Sequence, residues 1–151
     1  MFSNVDAMKP TEFLSFAQKT LCRGQGPADS RSAISRAYYS AFLYCREKLE
    51  SHGLAIPHSA KGHQQVQSSL LNSGSVKYQA IGSKLGALQT KRIHSDYELS
   101  KADVENLPTA KLHVDLAEQL IGEMSDFDSD PDLPSVLTAI RRHQSSPTGA
   151  R

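Results

Sequence analysis

Cysteine is nearly missing from this chain: Cys22 and Cys45 stand alone, without CxxC spacing. That excludes a disulfide framework, and with no secretory signal ahead of them a reducing, cytoplasmic setting is expected. Long apolar runs are missing too. None approaches the roughly 20 residues needed to cross a bilayer, so no membrane partner is expected. Net charge is almost nil, +1 from 17 basic and 16 acidic residues. A balance of this kind excludes a broad field drawing the chain to nucleic acid or lipid, and any anion site has to be local. Sustained apolar alternation, the mark of a strand, does not occur.

What is present is helical spacing. The 151 residues suit one domain, long enough to bury roughly 68 to 70% of its unfolded surface. A first helix is expected from Thr11 to just before Gly24, with Phe13, Phe16, Ala17 and Leu21 inward, then a turn through Gly24, Gln25, Gly26 and Pro27. The second runs from about Ser30 to His52 with the stripe Ile34, Tyr38, Ala41, Cys45 and Leu49. Tyr39, Phe42 and Leu43 widen its apolar surface, which places it in the middle of a bundle. A third spans about Ser59 to Asn72 with Val66, Leu70 and Leu71 inward, and a fourth about Val76 to Asp96 with Ile81, Leu85 and Leu88 on one line.

Ser100 to Asp103 resembles a capping box opening a fifth helix, with Val104, Leu107, Leu112, Leu116, Leu120 and Ile121 apolar and Pro108 kinking or restarting it. Beyond Met124 the chain turns acidic, then Ser135 to His143 has the spacing of a short helix, and Ser145 to Arg151 reads as a disordered tail. The expected architecture is all-α: an antiparallel up-and-down bundle of four to five helices over residues 1–124, with an acidic loop, short helix and tail over 125–151.

Several motifs fail on inspection. The aspartates 126, 128, 130 and 132 alternate as in a calcium loop, but Pro131 replaces the required glycine and Leu137 the closing glutamate. A solvated acidic linker is the better reading, though its charge also suggests a cover over a basic groove. His52, His58 and His63 have no cysteine or carboxylate at zinc spacing, so no metal is expected. No GxGxxG, P-loop or GxSxG occurs, and no cofactor is expected.

One residue is out of place for a packed stripe. At 100° per residue Arg92 falls about 20° from Ile81, and an inward guanidinium needs either a buried partner or an anion across an interface. Asp96, about 40° round from Arg92 on the helix, is suited to a charge-assisted pair. His94, two residues on, points about 200° away. Tyr38 and Tyr39 are read first as packing residues and second as a stacking surface for a base. Arg36 lies opposite Ile34 and Cys45, either on the surface or facing a partner subunit.

Taken in order, Arg36-Ala-Tyr-Tyr-Ser-Ala-Phe42, a glycine break, His63-Gln-Gln-Val66 with Leu70, then Leu85, Leu88 and Arg92 with Asp96-Tyr97 resemble the HEPN superfamily (higher eukaryotes and prokaryotes nucleotide-binding). The resemblance covers about residues 10 to 122. It implies a helical bundle acting as a homodimer in a toxin and antitoxin or phage-defence module, beside a nucleotidyltransferase or antitoxin protein. Many members are metal-independent endoribonucleases in which an arginine is followed after four to six residues by histidine. Arg92 matches the arginine, but five residues on stands Tyr97.

Cleavage of RNA through its 2′-hydroxyl needs one group to take a proton, one to give a proton, and positive charge on the phosphate. A free phenol titrates near pH ~10 and is a poor base at neutrality. Two readings stay open. In the first, Arg92, Tyr97 and Asp96 form the catalytic set, with Arg36, Tyr39 and Arg92 binding RNA or nucleotide phosphate. In the second, the same residues fasten a noncatalytic helical interaction module that pairs with another protein.

Overall fold

The computed structural model describes residues 7–24 and 26–146. They form six α-helices joined by turns and two short 3₁₀ segments, with no strand among them: α1 Thr11–Arg23, α2 Pro27–Ser51, α3 Ala60–Leu71, α4 Val76–Tyr97, α5 Leu107–Met124 and α6 Leu133–Ser145. The chain is therefore the all-α bundle that its periodicity predicts. Gln25 of the expected turn, and residues 147–151 of the expected tail, lie outside the described residues.

The second helix is the axis of the bundle. It begins at Pro27 rather than Ser30, because a proline in the first turn needs no amide partner and the Asp29 carboxylate accepts a hydrogen bond from the Gly26 amide at 3.2 Å. Its buried residues include Ala33, Ile34, Ala37, Tyr38, Ala41, Phe42, Cys45 and Leu49, too many for one face, and it packs against α1, α4 and α5. Ser40 Oγ donates to the Pro10 carbonyl at 2.8 Å, tying the start of α1 to the middle of α2. On α4 the buried positions are Tyr78, Ile81, Gly82, Leu85, Leu88, Arg92 and Ser95, so the inward stripe runs unbroken from apolar side chains to a guanidinium.

Three local expectations are corrected. Residues 102–105 form a separate 3₁₀ turn, and α5 starts at Leu107 under an Asn106 cap whose side chain accepts from the Thr109 amide. Pro108 consequently sits in the first turn of a restarted helix, so of its two expected effects the restart occurs and the kink does not. Phe16, Leu71, Leu107 and Leu112 are exposed. Ala17, Leu120 and Ile121 are buried as expected, and the rest of the inward faces is made by Leu14 and Thr20 on α1 and by Ala110, Val114, Ala117 and Met124 on α5. The alanines among those positions let the helices approach closely.

The acidic segment is also no solvated linker. Phe127 is fully buried and joins Val136, Leu137 and Ile140 in the same core as the bundle. Asp126 pairs with Lys77, Asp128 with Lys48 and His52, and Asp130 accepts from the Tyr78 hydroxyl. These contacts involve the last turn and cap of α2 and the first turn of α4. Arg92 lies fourteen residues further along that helix, about 20 Å at 1.5 Å per residue, so the aspartates fasten one end of the bundle and do not cover the arginine.

Candidate anion-binding site

Two arginines are buried where α2 meets the end of α4, and their surroundings differ. Arg31 keeps 8% of its exposure and Arg92 7%. The Arg31 guanidinium is saturated. Nε donates to Glu105 at 3.1 Å, and the two terminal nitrogens reach the carbonyls of His94, Ser95, Glu98, Leu99 and Lys101 at 3.0 to 3.4 Å. These carbonyls belong to the last turn of α4 and the loop beyond it, and although those of His94 and Glu98 also accept backbone amides, Arg31 caps α4 and satisfies its own desolvation together.

Arg92 has no such set. Its nearest carboxylate, Asp96, stands 3.7 Å from Nη1, beyond hydrogen-bond reach. Asp96 Oδ2 accepts instead from Ser35 Oγ at 3.0 Å. The Arg92 Nε is buried with no hydrogen-bond partner among the described residues. What surrounds the cation is aromatic: its central carbon lies 5.4 Å from the ring centre of Tyr38, 5.5 Å from Tyr39 and 5.8 Å from Tyr97. Ring faces contribute roughly 0.5 to 2 kcal/mol each, but they accept no N–H bond. An unmade buried donor costs about 1 to 3 kcal/mol.

The expected partners gather unevenly around it. Tyr97 is 73% exposed and presents its ring at the mouth of the site. Tyr39 is half-buried, and Arg36 lies 4.8 Å from its ring centre and 5.3 Å from that of Phe13. Arg36 and Arg92 thus both contact Tyr39. Asp96 is near enough to lower the cost of burying Arg92 and too far to occupy it. His94 turns away as its spacing predicts: its carbonyl serves Arg31, and its Nε2 lies 3.7 Å from Glu98.

Two residues of this region, Arg31 and Ser35, escaped the sequence reading, and a third, His63, entered it only as a rejected metal ligand and within the family resemblance. Arg31 sits on the stripe Ile34, Tyr38, Ala41 and Cys45, and His63 on the stripe Val66 and Leu70. In both cases the signal was a charged or titratable residue in register with apolar ones, the same signal that marks Arg92. Ser35 carried none. His63 Nδ1 is 2.6 Å from the Tyr38 hydroxyl, and its ring stacks on Phe42 at 4.2 Å between centres. Burial pushes the Tyr38 phenol well above its ordinary range, with Arg92 pulling it back only in part. Burial, then the charges of Arg92 and Arg46, pull the His63 imidazole below its own.

Elsewhere the chemistry is quiet. Cys45 is fully buried and its thiol is pushed up to about 12 by burial, which leaves no thiolate for attack. His52 and His58 are engaged by Asp128 and Glu50. Among the described residues no three His, Cys, Asp or Glu side chains stand together as a metal set. A groove of about 1020 Å³ between α3 and α6 is lined by Lys61, Gln64, Gln65, Arg141 and Gln144 among others, but it contains neither Arg92 nor its tyrosines.

Comparison with models of protein families, with curated proteins and with solved structures gives no match to this chain. The site is therefore interpreted on its own geometry. No described helix is long and apolar enough to cross a membrane.

Proposed function

We propose that this chain is a HEPN-type module that binds RNA or nucleotide phosphates at Arg92, acting as a cytoplasmic homodimer in a toxin and antitoxin or defence system. The observation that carries the reading is the contrast between two equally buried arginines. Arg31 has every donor directed at an acceptor, whereas Arg92 keeps a buried Nε without one and a carboxylate at 3.7 Å. A guanidinium left short of acceptors, ringed by aromatic faces and next to an exposed tyrosine, suits a phosphodiester with an unpaired base beside it. Arg36 and Tyr39 extend the same surface. Where cleavage accompanies binding, Arg92 steadies the phosphate charge, Tyr97 gives a hydrogen bond or proton, and Asp96 orients the arginine.

The test is titration of the purified protein into a labelled single-stranded RNA, followed by fluorescence anisotropy, with gel analysis of the same mixture for cleavage. Arg92→Gln is expected to weaken binding by about tenfold or more, the worth of a charge-assisted bond. Equal affinity in the variant rules the site out.

A second reading is favoured by a different observation. Tyr97, Leu99 and Leu107 are 73%, 80% and 46% exposed around the exit from α4, an apolar group suited to a partner such as a nucleotidyltransferase or antitoxin. In that case the chain is a noncatalytic interaction module, Arg92→Ala costs stability, and no RNA binds.

A further inference from the structure

His63 comes from α3, outside the segment that carries Arg92 and Tyr97, yet it shares their neighbours. Its ring centre lies 5.7 Å from that of Tyr38 and 5.9 Å from that of Tyr39, the same two rings that face the Arg92 guanidinium at 5.4 and 5.5 Å. Gly62 allows this placement. A Cβ there would stand 2.1 Å from the Pro57 carbonyl oxygen, so only glycine lets the start of α3 approach the preceding loop this closely.

The hydrogen bond to Tyr38 fixes which imidazole nitrogen carries the proton. Tyr38 is fully buried, and a buried phenol held in its protonated form donates its O–H to an acceptor within reach. That acceptor is Nδ1, at 2.6 Å. A neutral imidazole accepting at Nδ1 carries its hydrogen on Nε2, and Nε2 makes no hydrogen bond among the described residues. The ring cannot easily swing away, because it is stacked on Phe42 at 4.2 Å.

We infer that His63 is a ligand-binding residue of the Arg92 site: Tyr38 holds its imidazole as the Nε2–H form, a directed second donor for an oxygen of the same phosphodiester. This rests on the proposed anion site and adds to it a residue, a tautomer and a pH response. The groups that act on His63 are Tyr38, Tyr39 and Arg46 from α2 and Arg92 from α4. Both cations oppose protonation of the imidazole in the free protein. A bound phosphodiester offsets them, so protonation and binding favour each other, and affinity rises as pH falls. A phosphodiester itself does not titrate in this range, which leaves the change to the protein.

The experiment measures the affinity of a labelled single-stranded RNA at about pH 5.5 and about pH 8, either side of the ordinary histidine range, for four proteins. These are the natural chain, Arg92→Gln, His63→Asn and Tyr38→Phe. Asparagine keeps a polar atom where Nδ1 faces Tyr38 and removes Nε2. Phenylalanine keeps the ring stack and removes the hydroxyl that orients the imidazole. The natural chain is expected to bind more tightly at the lower pH. His63→Asn is expected to weaken binding at pH 8 about fivefold, the worth of one neutral hydrogen bond, and to flatten the pH response; Tyr38→Phe weakens it in the same direction.

If His63→Asn and Tyr38→Phe bind like the natural chain at both pH values while Arg92→Gln binds poorly, the inference is overturned and the anion site stands. If Arg92→Gln binds as well as the natural chain, the anion site falls and the inference with it. Should His63→Asn fail to fold, Tyr38→Phe alone decides: unchanged affinity and pH response overturn the inference.

Discussion

Arg31 and Arg92 lie on two helices that pack together, each more than nine-tenths buried. A methionine at either position keeps most of the side chain's length and removes its charge. At position 31 that change takes the hydrogen-bond donor away from five carbonyls and Glu105, and stability is expected to fall by about 2 to 4 kcal/mol. At position 92 it removes a cation with an unpartnered Nε and a loose carboxylate. Replacing such a group with an apolar one of similar size is near neutral, and stability is expected to stay within about 1 kcal/mol of the natural chain. Urea midpoints of the two variants check this directly. An Arg92→Met cost equal to that of Arg31→Met makes Arg92 a fastener and favours the interaction-module reading.

At the scale of elements, helical periodicity located α2, α3 and α4 to within a few residues, because their inward stripes are long and uninterrupted. It placed Arg92 on the buried line for the same reason. Two kinds of information were not in the spacing. The first is where neighbouring helices come close: α1 and α5 turn alanines inward and leave Phe16 and Leu112 in solvent, a choice made by the partner helix. The second is which distant elements meet, as when α3 brings His63 to Tyr38. The acidic stretch shows both. Its charges read as a linker, yet Phe127 inserts into the core and the carboxylates pair with α2 and α4.

Those pairings carry a pH signature. The Asp128 carboxyl is held below its ordinary value by hydrogen bonds from Lys48 and His52, and that of Asp130 by the Tyr78 hydroxyl. Carboxyls whose folded values lie below their unfolded ones stabilise fully above the unfolded value, 3.8 for aspartate. That contribution is lost as pH falls through the folded value. Thermal midpoints are expected to drop below about pH 4, and Asp128→Asn to start lower and fall less steeply over that range. An unaltered acid slope in the variant removes Asp128 from the fastening of the acidic segment.

Over the whole molecule, charge rather than shape limits what the site can hold. A formal net charge of +1 supplies no field to gather counterions along a strand, and the acidic segment already engages Lys48 and Lys77. Arg46 is paired with Glu50 at 3.2 Å, so the cations left near the site are Arg92 and Arg36, enough for about two phosphates. Each phosphate neutralised on a single strand changes log K by about −0.7 per log unit of salt. RNA affinity is therefore expected to fall with a slope of about −1.4 per protomer, doubling to about −2.8 if a homodimer presents both sites to one strand. Anisotropy titrations over a range of potassium chloride measure it, with sedimentation on the same samples fixing the subunit number. A slope much steeper than these values places the strand on other basic surface, such as the groove with Lys61 and Arg141. A slope near zero leaves stacking on Tyr39 and Tyr97 as the source of affinity and removes the phosphate from the role given to Arg92.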